Sequence, residues 1–104
     1  MAVKHFKDSD FKEEIKKGVV LIDFFASWCG PCRMLAPIIE EVAGHFQDKA
    51  TIAKVDIDTE QKIAAEYQVT SVPTMILFKD GKEIQRLVGL RDAESIIELI
   101  NGAL

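Results

Sequence analysis

The sequence is short of the residues on which several function classes depend. It has two cysteines, three prolines, one tryptophan and one tyrosine. Basic residues show no cluster: Lys and Arg total 13 against 17 Asp and Glu, a net charge of −4. Binding to nucleic acid or to an anionic membrane surface is therefore not expected. Long apolar runs are missing. The longest, Val19 to Ala26, covers eight residues and includes Asp23, far too short to cross a bilayer. The opening stretch, Met1 to Asp8, has no apolar h-region of a secretory signal, so the chain is expected to be cytosolic. Repeats, low-complexity tracts and linkers are missing too, and residues 1–104 read as a single domain, expected to act as a monomer.

What is present suits a folded enzyme-sized core. Hydrophobic residues make up 48% and charged residues 29% of the chain, and a chain this long buries roughly two thirds of its unfolded surface. The two cysteines are spaced C-x-x-C. In the cytosol a bridge over so short a loop closes almost no chain and meets a reducing thiol pool, so it is a poor structural staple. Redox chemistry or metal binding remain. A zinc site needs four ligands, and the other soft candidates, His5 and His45, do not sit at finger spacing. They read better as surface residues.

The periodicity predicts β-α-β-α-β-α-β-β-α. Val3 to Phe6 is a short strand. Asp8 or Ser9 caps a helix through Lys17, which Gly18 ends. Val19 to Ala26, almost continuously apolar, suits a central strand buried on both faces. A helix from about Cys32 to Phe46 carries Leu35, Ile38, Ile39, Val42 and Phe46, with Pro37 expected to kink it. Thr51 to Asp56 is a strand. Asp58 or Thr59 caps a helix with Ile63, Ala64 and Tyr67. Thr74 to Phe78 and Ile84 to Val88 form a hairpin about Asp80-Gly81, and Asp92 caps the last helix. Helical crossovers imply parallel pairing early and the hairpin antiparallel pairing late, hence an α/β fold with a mixed sheet.

Trp28-Cys29-Gly30-Pro31-Cys32 falls where the buried strand gives way to a helix. Unpaired amides and the macrodipole at a helix N-terminus favour an anion, which depresses the Cys29 thiol pKa and makes Cys29 the attacking thiolate. Cys32, one turn on, is placed to resolve the mixed disulfide. Pro31 suits the first turn, and Gly30 lets the loop bend and leaves the sulfur uncovered. Asp23 is costly inside an apolar strand unless paired or protonated. Burial raises its pKa, and it either takes a proton from Cys32 or lies at a wet sheet edge. Lys54, mid-strand, is its natural cation partner or a solvent-exposed lysine. Val72-Pro73-Thr74 opens an apolar strand with a proline. Gly89 either allows a close backbone approach or simply turns the chain.

Together these residues resemble the thioredoxin family. The likeness runs through Val19 to Pro37 (VVLIDFFASWCGPCRMLAP), Ala53 to Asp58 (AKVDID), Ser71 to Thr74 (SVPT), Phe78 to Gly81 (FKDG) and Val88-Gly89. It implies a thioredoxin fold, a five-stranded mixed sheet flanked by four helices, over a single domain. It implies a cis Val72-Pro73 bond facing the cysteines, a proton-handling pair of Asp23 and Lys54, and a docking surface of Trp28, Gly30, Pro31, Ile57, Ser71, Val72, Pro73, Val88 and Gly89. It implies a general protein disulfide reductase with no bound cofactor or metal, re-reduced from NADPH by a flavin-containing thioredoxin reductase. Many bacterial members have tryptophan where Phe25 stands and lysine where Arg33 stands, which bears on partner choice rather than on activity. Gly-Pro between the cysteines resembles a reductant rather than an oxidase or isomerase. A binding module that uses the groove without the thiols is the alternative from another class, and Cys29→Ser separates the two.

Overall fold

The computed structural model describes residues 3–104. Its elements are β1 (Val3–His5), α1 (Phe11–Glu14), β2 (Val19–Phe25), α2 (Gly30–His45), β3 (Thr51–Asp56), α3 (Gln61–Glu66), β4 (Thr74–Lys79), β5 (Lys82–Val88) and α4 (Ala93–Asn101). The sheet order is β1-β3-β2-β4-β5. β1, β3 and β2 run parallel, and β4 and β5 are antiparallel to their neighbours. The five-stranded mixed sheet with four helices is the α/β architecture expected from the sequence.

β2 is central, and its alternation decides what covers each face. Val20, Ile22 and Phe24 turn toward α1 and α3, where they pack with Phe11, Ile15, Ile63 and Phe78. This side is aromatic: the Phe11 ring lies 5.5 Å from Tyr67 and 5.8 Å from Phe78. Burying a phenylalanine like Phe11 contributes about 1.5–3 kcal/mol. Val19 and Leu21 turn the other way and join Leu35, Ile39 and Val42 of α2 with Ile96 and Ile100 of α4. Asp23 follows in the same alternation, on the face that α2 covers.

Several boundaries differ from the sequence expectation, among them the end of α1 at Glu14 rather than Lys17 and the start of β5 at Lys82 rather than Ile84. α1 begins at Phe11 after Asp10, whose side chain makes no cap bond. Asp8 is already committed elsewhere: its Oδ1 accepts from the Ile63 amide at 2.9 Å and its Oδ2 from the Lys62 amide at 3.4 Å. Asp8 therefore serves the open amides of α3, and neither Asp58 nor Thr59 caps that helix, which follows Glu60. α2 starts at Gly30 rather than near Cys32, and Pro37 lies inside it without ending it. The hairpin stands as read. Asp80 and Gly81 have φ of 51° and 88°, the two left-handed positions that an Asp-Gly turn supplies.

Candidate active site

β2 ends at Phe25, and Ala26 to Trp28 carry the chain from the C-terminal end of this central strand into α2. Cys29 is the residue that caps this helix. Its backbone is extended (φ −90°, ψ 115°), and its Sγ accepts a hydrogen bond from the Cys32 amide at 3.2 Å. Gly30 and Pro31 occupy the first turn, where the missing proline N–H leaves no helical bond unmade. Gly30 does not adopt a positive φ, and a Cβ there would meet nothing within 4 Å. Of the two reasons expected for Gly30, the tight bend is therefore not one that requires glycine.

Cys29 and Cys32 are joined in a disulfide with Cα atoms 5.2 Å apart. Both are buried, with Ala26, and Phe25, Ile57 and Val72 pack against them. Val72-Pro73 is cis, and the Val72 carbonyl oxygen lies 3.6 Å from Cys29 Sγ. Ser71 is exposed beside it, and its carbonyl accepts from the Thr74 hydroxyl at 2.6 Å. Val88 stands opposite Thr74 in register, and the Gly89 amide donates to the Pro73 carbonyl at 2.8 Å. Gly89 has φ +98°, a left-handed conformation that favours glycine. Trp28 is 66% exposed beside the disulfide, and its indole N–H donates to Asp58 Oδ2 at 2.9 Å. The structure thus gathers Trp28, Ile57, Val72, Pro73, Val88 and Gly89 around one pole.

Asp23 is fully buried, and neither of its carboxylate oxygens has a hydrogen-bond partner among the described residues. Burial pushes its carboxyl up to about 6, against a smaller downward pull from Lys54. Lys54 is directly opposite Asp23 in the β2–β3 register. Its ammonium, however, lies 4.4 Å over the centre of the Phe25 ring, and the ion pairs found among the described residues do not include Asp23. Behind Cys32 a cavity of about 260 Å³ is walled by Phe25, Ala26, Ser27, Arg33 and Lys54. Burial therefore outweighs the nearby cation, and the Asp23 carboxyl stays well above its ordinary range.

Two contacts near the site are not foreseen in the sequence: Asp58 with Trp28, and Phe25 with Lys54. Asp58 reads as a helix cap, and the usable signal is the need of an exposed indole N–H for an acceptor. Phe25 as a seat for Lys54 follows from an aromatic and a lysine on paired strands, two register positions apart. No cluster of three or more His, Cys, Asp or Glu suited to a metal occurs among the described residues.

Comparison with known proteins agrees with this geometry. The model of the Thioredoxin family matches residues 2–102. A thioredoxin of Staphylococcus epidermidis is 46% identical over 101 residues, covering 97% of each chain. One from Staphylococcus saprophyticus is 46% identical over 100 residues, 96% of each. Among solved structures, a mutant thioredoxin from Halobacterium salinarum superposes with a TM-score of 0.88 at 38% identity, over 97% of this chain and 89% of that one.

Proposed function

We propose, because the chain belongs to the thioredoxin family, that it works as one thioredoxin domain, a monomer in the cytoplasm, reducing disulfides in other proteins. Its chemistry is that of a thiol–disulfide oxidoreductase. The observation that carries the assignment is the Cys29–Cys32 bond at the start of α2, with the Cys32 amide donating to Cys29 Sγ. No helix is long and apolar enough to cross a membrane among the described residues.

In the reduced protein, Cys29 at the helix start carries the thiolate. It attacks one sulfur of a target disulfide. A bond forms between Cys29 and that sulfur, the target's own S–S bond breaks, and the departing target sulfur takes up a proton. Cys32 then loses its proton to Asp23 and attacks Cys29 Sγ. The mixed disulfide breaks, the second target sulfur leaves as a thiol, and Cys29–Cys32 is oxidised. Two electrons have moved to the target. The second step is intramolecular and gains from a high effective concentration. Lys54 keeps the Asp23 carboxyl from rising further, so that it accepts and returns a proton.

Meanwhile the backbone of Val72 and the apolar surface of Trp28, Gly30, Pro31, Ile57, Ser71, Pro73, Val88 and Gly89 receive the extended target segment. The partner that restores the dithiol is a flavin-containing thioredoxin reductase drawing on NADPH. NADPH consumption with such a reductase and a disulfide protein tests the whole scheme. Wild type should sustain it and Cys29→Ser should not; equal rates would refute it.

A further inference from the structure

Between β5 and α4 the chain passes the cysteine pole in a short loop. Its first link, the Gly89 amide to the Pro73 carbonyl at 2.8 Å, ties it to the segment whose Val72 carbonyl faces Cys29 Sγ at 3.6 Å. Two apolar side chains stand out from this stretch, Val88 at 51% and Leu90 at 39% exposed. A short loop turning through a left-handed glycine is a poor support for side chains that must keep a fixed direction. Arg91 supplies the support. Its Nη1 donates to the Val88 carbonyl at 3.0 Å and to the Leu90 carbonyl at 3.2 Å, and it lies 3.5 Å from where a Gly89 Cβ would be. One guanidinium therefore ties the carbonyls on both sides of Gly89 and folds the loop around its own charge.

We infer that Arg91 is a positioning residue for protein substrates. It fixes Val88 and Leu90 as an apolar rail beyond Pro73, against which a target segment lays an apolar side chain when its sulfur reaches Cys29. The inference rests on the disulfide-reductase reading and adds a determinant of substrate choice to it. A small disulfide such as glutathione disulfide has no apolar side chain to lay on the rail. Arg91 thus acts on the affinity for protein targets rather than on bond exchange. A lysine, a single charged point on a flexible stem, replaces the fork only in part.

The test compares wild type, Arg91→Ala and Arg91→Lys on insulin and on glutathione disulfide, each regenerated by NADPH and thioredoxin reductase. The KM for insulin should rise about three- to tenfold in Arg91→Ala, the range set by losing one or two hydrogen bonds, with kcat nearly constant. Arg91→Lys should fall between and also covers the case in which the alanine variant does not fold. The rate with glutathione disulfide should move far less. Lys17→Ala, an equal loss of charge just before the far end of β2, should leave the insulin KM where it was. An unmoved insulin KM in both Arg91 variants, a parallel loss on both substrates, or an equal effect of Lys17→Ala would overturn the inference alone. Failure of wild type to reduce either disulfide would remove the reductase reading and this inference with it.

Discussion

Helices α2 and α4 begin in the same way and end up in different trades. Each is preceded by a residue in extended backbone, Cys29 at φ −90° and Asp92 at φ −80°. Each of those side chains accepts a hydrogen bond from the amide three residues on, Cys32 to Sγ at 3.2 Å and Ser95 to Oδ1 at 2.9 Å. At α4 the acceptor is an exposed carboxylate whose only business is the helix, and hydrogen bonding from Ser95 holds its carboxyl below the usual range. At α2 the acceptor is a buried sulfur that forms and breaks bonds. The fold offers one seat for negative charge twice, and the occupant of the seat decides whether it is structural or chemical.

Making α2 more like α4 is the severest way to break this comparison. Cys29→Ser keeps a competent helix cap but has no sulfur to exchange. It should fold with a helical circular-dichroism spectrum close to wild type while losing all measurable insulin reduction; residual turnover would deny Cys29 its place. Next in size is the charge that lies beneath α2. With its carboxyl pushed up to about 6 from 3.8, Asp23 favours the folded state only while protonated. Its contribution is largest below the unfolded value, declines as pH climbs from about 4 to about 6, and then levels off. At pH 7 the deficit is about 3 kcal/mol. Asp23→Asn should recover much of that in urea unfolding at pH 7, and should slow resolution so that a mixed disulfide accumulates. A variant less stable than wild type at pH 7 would contradict this.

A smaller change should follow Lys54→Met. Removing the nearby cation lifts the Asp23 carboxyl further, so its NMR titration midpoint should move above that of wild type; an unmoved midpoint would separate the two residues. The smallest effect is expected at α4. The lowered carboxyl of Asp92 contributes stability above its unfolded value and loses it as pH falls through the folded one. Acid therefore weakens the cap of α4 while it relieves Asp23. Asp92→Ala should lower Tm by a small margin at pH 7 and leave turnover of a small-molecule disulfide unchanged, and the Tm gap should close in acid.

Residues whose signals are local are readable without the fold. β2 is plain because a run that is apolar but for Asp23, from Val19 to Ala26, demands two covered faces. The hairpin is plain because Asp80-Gly81 supplies two left-handed positions. The cysteine pair is plain because a C-x-x-C after a buried strand leaves few other uses. Where the sequence misleads, a side chain is claimed by a partner far along the chain. Asp8 looks like the cap of α1 and serves α3; Asp58 looks like the cap of α3 and holds Trp28. Lys54 is legible only as a cation on the next strand; that it stands opposite Asp23 is a matter of register, which the structure supplies. That its ammonium rests on Phe25 depends on packing that no periodicity reports.

Asp8 reaches Ile63 across a separation of 55 residues, and its own amide is held by the Glu60 carboxylate at 2.8 Å. The segment between β1 and α1 is thereby dovetailed to the turn that follows Asp58. Asp8→Ala should consequently quicken hydrogen exchange at the Lys62 and Ile63 amides. A single carboxylate so placed stitches two distant stretches of chain into one fixed corner.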